Sequence, residues 1–332
     1  MVEHRLAREV IAPNRSHPHI QVVARRFLSL IPLWIGISFL AFSLSALAPG
    51  DPAQVILQRR TGEVPSEESV SQLREELGLN RPFPVRYALW LVNAARGDLG
   101  ISYRTGEPVL QTLMARFPAT LELAITALFI GLVIALPLGV ISAVKRDTGL
   151  DHVTRLGALL GASIPSFWLG YMLILLFAVS LRLLPVAGRG DWRHLALPAF
   201  TLALGGAASI TRLARASMLE VLDEDYVRTA SAKGVARSRV VARHALRNAL
   251  NPIVTLTGLR FGRLLGGAVI VETVFAWPGI GTMIVDSIYD RDYPMIQGFV
   301  LFIGTVMVVV NLLVDLSYVW LDPRVRISGE RS

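Results

Sequence analysis

Six runs of mostly apolar residues, each about 20 residues long, decide what this chain can fold into. As an α-helix, a run of that length crosses a hydrocarbon core of roughly 30 Å. The 332 residues are also 53% hydrophobic, which is too apolar for an average soluble domain. We therefore predict an all-α polytopic membrane protein with six transmembrane helices. The predicted spans are residues 27–47, 120–144, 156–181, 195–213, 253–275 and 295–321.

The basic residues indicate how the spans are oriented. Short cytoplasmic loops of membrane proteins are enriched in Lys and Arg. Many basic residues lie in two short connections, 145–155 and 214–252, which parity places on the same side of the membrane as both ends of the chain. We therefore predict that both termini are cytoplasmic. The net charge of +8 then reflects membrane orientation and does not indicate nucleic acid binding. The opposite loop carries Arg182, Arg189 and Arg193, which runs against this distribution of charge.

The predicted spans divide the chain into five parts. A cytoplasmic tail (1–26) precedes the first span (27–47), and an extracytoplasmic loop (48–117) follows it. A core (118–321) holds the other five spans and the cytoplasmic loop 214–252, and a cytoplasmic tail (322–332) follows. In the outer loop, Ser66 is placed to cap a helix that Gly78 ends, and residues 84–95 show a second helical pattern. These patterns favour a small ordered cap over an irregular tether.

The cytoplasmic loop carries a basic, helix-forming segment between two apolar runs. A chain that only had to turn around would need a few residues. The segment 225–252 is much longer, and Gly234 marks a turn near its middle. This pattern predicts an exposed helix–turn–helix that docks a soluble partner. The alternative, a solvated basic loop, explains the charge but not the turn glycine.

The fifth span combines a glycine stripe with two arginines. Gly258, Gly262 and Gly266 recur every four residues, which permits close helix packing in lipid. Arg260 and Arg263 lie on a different face, and a guanidinium at that depth normally faces protein or water. They could line a polar path and meet an anionic part of a solute. Alternatively, they pair with Asp315 or a partner's carboxylate, or reach the inner interface.

Three further polar residues lie in or beside the last two spans. Glu272 precedes a Trp-Pro-Gly break, where it could serve as a gate or brace the following loop. Asn311 and Asp315 share one face of the sixth span, where interhelical packing is the favoured role. In the outer loop between these spans, Asp286, Asp290 and Asp292 could meet a basic partner surface.

The sequence carries none of the motifs that would make the chain an enzyme. It has no G-x-x-x-x-G-K-[ST] phosphate-binding loop, no H-E-x-x-H and no G-x-S-x-G. It also has no cysteine, which excludes disulfides and thiolate chemistry. We expect no catalytic residues, no metal site and no cofactor on this chain.

Several segments occur in an order that is typical of one family. The chain resembles the integral membrane permease subunits of binding-protein-dependent ABC importers, in particular the B-type subunit of the oligopeptide/dipeptide/nickel family. The segments that carry the resemblance are Ala48-Pro-Gly-Asp-Pro52, Gly97-Asp-Leu-Gly-Ile-Ser102, Pro118-Ala-Thr-Leu-Glu-Leu123, Ile164-Pro-Ser-Phe-Trp-Leu-Gly170, residues 225–234, Arg243-His-Ala-Leu-Arg-Asn-Ala249, residues 266–281, Asn311-Leu-Leu-Val-Asp315 and Asp322-Pro-Arg324.

The resemblance implies a type I importer-like permease fold in a bacterial or archaeal cytoplasmic membrane. It implies that the cytoplasmic loop is the EAA coupling loop, which docks on a separate ATPase. Arg228 stands where the general motif has an acidic residue. The residues predicted to contact the ATPase are Tyr226, Arg228, Thr229, Ala230, Lys233, Gly234, Arg243 and His244.

The resemblance also implies the partners and the mechanism. The partners are a second, C-type permease, one or two cytoplasmic ABC ATPases that use ATP and Mg, and an extracytoplasmic solute-binding protein. The two permeases would form one pore that works by alternating access, with di- or oligopeptides as cargo. Nickel, glutathione or another small solute is the alternative cargo. A gradient-driven carrier or channel without an ATPase is the alternative of another class.

Overall fold

A computed structural model describes residues 18–47 and 50–321, and its side chains are described for 31–43, 45–47, 50–58, 61–266 and 268–314. Every regular element in these ranges is a helix, as the sequence predicts. The helices are α1 (Pro18–Leu47), α2 (Pro52–Thr61), α3 (Glu67–Glu76), α4 (Phe83–Ala95), α5 (Val109–Val144), α6 (Gly149–Ser163), α7 (Ser166–Leu173), α8 (Trp192–Leu222), α9 (Asp225–Ala232), α10 (Arg237–Arg239), α11 (Leu246–Gly267), α12 (Val269–Val274), α13 (Ile280–Tyr289) and α14 (Tyr293–Leu321). Two π-helical segments, Ile174–Ser180 and Val240–Ala245, continue α7 and α10.

The centre of the fold is the pair formed by α5 and α8. Small residues let the two helices approach closely: a Cβ on Gly139 would lie 2.6 Å from the Ala214 Cβ and 2.9 Å from the Thr211 carbonyl oxygen. Ala135, on the same side of α5, is fully buried in a cluster with residues of α8 and α11. Close contact between small residues is the usual way in which helices associate in lipid.

The number of spans differs from the prediction. Among the described residues, three helices are long and apolar enough to cross a membrane: Val109–Val144, Trp192–Leu222 and Tyr293–Val314. Two bent pairs qualify when each pair is taken together, Ile31–Leu47 with Pro52–Gln58 and Gly149–Ser163 with Ser166–Ser180. The described chain therefore has between three and five candidate spans, and six is not confirmed.

The third predicted span, 156–181, is wrong as a single helix. The chain bends by 100° between α6 and α7, at the break around Pro165. Proline has no N–H to donate, and it forces the residue before it out of the helical region. Ile164 accordingly is extended, with φ −76° and ψ 123°. The sequence marked this proline as a kink, but the break is much sharper than a kink.

The fifth predicted span, 253–275, is not among the candidate spans. The chain there forms α11 and the short α12, which meet at Ala268. Polar residues explain why α11 is less apolar than the other long helices, since it carries Asn251, Arg260 and Arg263. The first helix also differs, because α1 begins at Pro18, inside the segment predicted as the cytoplasmic tail.

The outer loop is an ordered cap, as the sequence analysis favours. The Ser66 side chain accepts a hydrogen bond from the Ser69 backbone N–H and begins α3, and Gly78 follows the helix with φ +64°. Helix α4 covers the second predicted helical pattern. Its aromatic face packs on α1, where the Phe42 and Trp90 ring centroids are 5.7 Å apart.

A buried carboxylate fastens the cap to the core. Asp292 is 1% exposed and accepts hydrogen bonds from the Ser102 hydroxyl at 2.5 Å and from the Tyr103 backbone N–H at 3.0 Å. Burial, together with the negative charge of Asp292, raises the pKa of Tyr103 to about 12. The expectation that Asp292 faces a basic partner is therefore wrong, because this side chain bonds within the chain.

Candidate functional site

The cytoplasmic segment forms the predicted helix–turn–helix. Helix α9 ends at Ala232, Gly234 turns the chain with φ +77°, and α10 follows. The Gly234 N–H donates to the Ser231 carbonyl and the Val235 N–H to the Ala230 carbonyl, which closes the end of α9. A residue with a side chain is strained at this φ, so the turn favours glycine.

The inner side of this segment is anchored to the core. Val227 and Val240 are 4% and 3% exposed, and Ala245 is fully buried beside Met218 of α8. The Asn248 side-chain amide donates a hydrogen bond of 2.7 Å to the Tyr226 hydroxyl. These contacts attach α9 to α8 and to the start of α11, so the segment is not a free loop.

The outer side of the segment presents most of the predicted coupling residues. Thr229 is exposed and donates to the Asp225 carbonyl at 2.9 Å, and Arg228 lies 3.7 Å from the Asp225 carboxylate. The exposed members of the predicted set are Tyr226, Arg228, Thr229, Lys233, Gly234 and Arg243, whereas Ala230 and His244 are half-buried. The structure thus brings the set together on one basic protrusion, which we call the coupling knob (225–245).

A buried ion pair beside the coupling knob was missed by the sequence analysis. Asp151 is fully buried, and the Arg215 guanidinium donates to both of its oxygens at 2.7 Å. The Ser142 hydroxyl and the Asp147 backbone N–H donate to the same carboxylate at 2.5 and 3.1 Å. These bonds join α5, α6 and α8. The only signal in the sequence was a pair of acidic residues, Asp147 and Asp151, in the otherwise basic connection 145–155.

Glu272 lies at the centre of a buried network on the other side of the core. Its carboxylate is fully buried and accepts from the Thr120 hydroxyl at 2.6 Å and from the Gly281 and Thr282 backbone N–H groups at 2.7 and 3.1 Å. The Thr120 hydroxyl accepts in turn from the Ile280 N–H at 2.9 Å. The carboxylate therefore caps α13 and ties it to α5.

The Trp-Pro-Gly-Ile-Gly segment is shaped around this carboxylate. A Cβ on Gly279 would overlap the Glu272 carboxylate, and a Cβ on Gly281 would lie 2.7 Å from one of its oxygens. The Trp277 indole N–H donates to the Ala119 carbonyl at 2.9 Å, and its ring is 1% exposed. Of the two roles that the sequence left open for Glu272, this geometry favours the brace.

Arg260 and Arg263 face away from the glycine stripe. Gly258 and Gly262 pack on Val314 and Met307 of α14, whereas the two arginines line a cavity of about 100 Å³ between α5, α8 and α11. The Arg260 Nε is buried and has no hydrogen-bond partner among the described residues. Arg263 is exposed.

The last predicted pathway residues lie on α14. Asn311 is exposed in the chain, so the predicted interhelical packing is not formed within it. The Asp315 side chain lies outside the described residues.

Comparison with known proteins identifies the family to which the chain belongs. Residues 135–327 match the family described as binding-protein-dependent transport system inner membrane component, and residues 19–124 match the N-terminal family of the same membrane component. The chain belongs to this family. A solved structure titled as inward-facing conformations of the MetNI methionine ABC transporter is 22% identical and has a TM-score of 0.56, covering 65% of this chain and 99% of that one. That likeness supports the fold alone.

Relatives with described transport roles match over almost the whole length. The dipeptide transport system permease proteins DppB of Alkalihalophilus pseudofirmus and of Escherichia coli K12 are each 41% identical, over 91% and 92% of this chain and 98% and 99% of theirs. The glutathione transport system permease protein GsiC of Escherichia coli O6:H1 is also 41% identical, over 92% of this chain and 99% of that protein. The chain is therefore a multi-pass inner membrane component of a binding-protein-dependent transport system.

Proposed function

We propose that this chain is one of two permease subunits of an ATP-driven importer for di- and oligopeptides. The observation that carries the proposal is the coupling knob: an exposed basic helix–turn–helix that buried Val227, Val240 and Ala245 fasten to a membrane core. The relatives named for dipeptide transport support the cargo. In the proposed arrangement both termini are cytoplasmic, residues 48–117 form the outer cap and residues 118–321 the permease core.

The family, a binding-protein-dependent transport system, supports the proposed partners. A cytoplasmic ABC ATPase docks on the coupling knob through Arg228, Thr229, Lys233 and Arg243, and it supplies the ATP and Mg chemistry. A C-type permease completes the pore, and an extracytoplasmic binding protein delivers cargo at the cap. This chain itself performs no covalent step.

Rigid attachment is what lets ATPase closure move the membrane helices. The Tyr226–Asn248 hydrogen bond joins the coupling knob to α11, and the Asp151–Arg215 pair joins α8 to α6. The Ser142 hydroxyl links the same carboxylate to α5. When two ATPases close, the knob moves as a body and carries these helices with it, so that the pore opens alternately to each side. Glu272 keeps α13 in register with α5 during that movement.

Glutathione is a second candidate cargo, because a relative of equal identity is named for its transport. Dipeptides and glutathione share free carboxylates and peptide bonds, so one permease surface suits both. The binding protein that co-purifies with the chain, tested with labelled dipeptide and glutathione, distinguishes the two.

The function is tested by purifying the complex from its native host and reconstituting it in proteoliposomes. We expect a second permease and at least one ATPase with a nucleotide-binding loop to co-purify, and labelled dipeptide uptake to require ATP. Ionophores that collapse ion gradients should leave uptake intact. If the chain purifies alone and uptake follows an ion gradient, the chain is a secondary transporter and the proposal is wrong.

A further inference from the structure

The 100 Å³ cavity between α5, α8 and α11 is lined by two arginines. Arg260 and Arg263 project from α11 into a cavity whose other lining residues are apolar, among them Gly131, Ala203 and Gly206. The charged groups that act on Arg260 are Arg263 and Arg212 of α8, which are both positive. No acidic side chain lines this cavity within the described part of the chain.

A neighbouring arginine shows that the fold can neutralise such a charge. Arg215 lies one helical turn beyond Arg212 on α8, and the buried carboxylate of Asp151 engages it through two hydrogen bonds. Arg260 has the opposite environment, since its Nε is enclosed and has no hydrogen-bond partner in the part of the chain that the structure describes. Arg215 is therefore committed to structure, whereas Arg260 keeps at least one donor group for a ligand.

Arg260 faces a cavity between α11 and two candidate spans, α5 and α8. An unpaired guanidinium at such a place is energetically unfavourable, and like charges nearby make it worse. Such groups normally face a water-filled path or an anion. The planar guanidinium binds carboxylates through two parallel hydrogen bonds. The cavity of about 100 Å³ is large enough to admit at least one carboxylate group beside the two guanidinium groups.

We propose that this cavity binds the C-terminal carboxylate of the cargo as it passes through the pore, with Arg260 and Arg263 as its ligands. Arg212, closer to the coupling knob along α8, provides the next positive charge on the way to the cytoplasm. The inference rests on the proposed function, because it presumes that peptides pass this face of the chain. It predicts that the pore selects for a free carboxylate independently of the binding protein.

The absence of cysteine from the chain allows a direct test. A Cβ on Gly206 would lie 3.4 Å from a terminal nitrogen of Arg260, so Gly206→Cys places a thiol beside the cavity arginines. Gly205→Cys is the matched control, because a Cβ there has nothing within 4 Å and position 205 does not line the cavity. The complete complex in detergent is labelled with an anionic and a cationic methanethiosulfonate, and modification of this chain is followed by mass spectrometry.

The measured quantity is the reaction rate of the anionic reagent divided by that of the cationic reagent. We expect this ratio to be about tenfold higher at position 206 than at position 205, since a positive cleft concentrates anions. Arg260→Gln with Arg263→Gln should abolish this preference, and Arg260→Lys should keep it. A free dipeptide should protect the thiol, whereas the same dipeptide as its C-terminal amide should not. Size-exclusion chromatography confirms that each variant complex is assembled.

Three results would overturn the inference. An anionic-to-cationic rate ratio that is the same at positions 205 and 206 would show that the cavity charges are already neutralised, for example by Asp315 or a partner's carboxylate. Equal protection by the dipeptide and its amide would exclude carboxylate recognition, and no protection by either would place the cargo elsewhere. ATP-driven dipeptide uptake by the wild-type complex in each of these cases would leave the proposed function intact.

Discussion

This chain has one fully buried carboxylate near the coupling knob and another near the cap, and the two are stabilised in different ways. Asp151, on the side of the coupling knob, forms a bidentate pair with Arg215. Glu272, on the side of the cap, accepts only from neutral donors: the hydroxyl of Thr120 and two backbone N–H groups. Both lock helices together, but one uses a full opposite charge and the other uses the N-terminus of α13.

The difference indicates what each site can tolerate. A buried ion pair fails badly when one partner is removed, because the other charge is left uncompensated. A helix N-terminus supplies its donors from the backbone, so side-chain mutations cannot remove them. The Glu272 site instead depends on space, since Gly279 and Gly281 leave room for its carboxylate. The Asp151 site therefore tolerates few changes of charge, and the Glu272 site tolerates few changes of side-chain size.

The largest effect is expected when the Asp151 pair is broken. Arg215→Gln leaves a buried carboxylate without its counter-ion, and we expect a loss of about 3–5 kcal/mol in the free energy of unfolding. The measurement is thermal unfolding of the purified complex in detergent. Asp151→Asn combined with Arg215→Gln should recover part of the loss, because no charge is then left unpaired. A double variant that is as unstable as the sum of the single variants would contradict the pairing.

The second-largest loss of stability is expected when the space around the Glu272 carboxylate is filled. Gly279→Ala places a methyl group on the carboxylate, and we expect a loss of about 1–3 kcal/mol from overpacking. Gly266→Ala is the matched control, since a Cβ there meets nothing within 4 Å. In the Glu272→Ala background the same Gly279→Ala change should have little further effect on the unfolding temperature. If Gly279→Ala lowers the unfolding temperature equally in the wild-type and Glu272→Ala proteins, the Glu272 carboxylate is not what excludes a side chain at position 279.

Replacing Gly234 is expected to change stability less, but to lower clearly the peptide uptake that ATP hydrolysis drives. Gly234→Ala forces a side chain into the left-handed region at φ +77°, at about 1–2 kcal/mol. Because the turn lies at the tip of the coupling knob, we expect peptide uptake to fall more than the stability of the complex. Uptake and ATPase activity are measured together, with Gly149→Ala as control. Uptake that tracks unfolding temperature alone would remove any special role for the turn.

Local signals in the sequence predicted local structure well. Ser66 and Gly78 marked the ends of α3, and Gly234 marked the turn of the coupling knob. The face that carries Arg260 and Arg263 was also correctly separated from Gly258 and Gly262, because helical geometry alone fixes which residues share a side.

Contacts between distant segments could not be predicted in the same way. Thr120 and Glu272 are 152 residues apart and Asp151 and Arg215 are 64 apart, so neither pairing follows from a helical period. The 100° break at Pro165 was underestimated for a related reason. A proline removes a hydrogen bond, but the packing of the flanking helices decides how far the chain then bends.

The smallest effect is expected at the contact that links the coupling knob to α11. Tyr226→Phe removes the hydroxyl that accepts from Asn248, and the net contribution of one such bond is about 0.5–1.5 kcal/mol, at the lower end for an exposed pair. We expect almost no change in unfolding temperature. If the knob moves α11 as a rigid body, however, the ratio of peptides imported to ATP hydrolysed should fall. Asn248→Ala removes the same bond and also the bond from Asn248 to the His244 carbonyl, so it should lower that ratio at least as much. Adding Tyr226→Phe to Asn248→Ala should then lower the ratio no further. Additive losses would mean that Tyr226 contacts the ATPase directly and that α11 is moved through the buried Val240 and Ala245 instead.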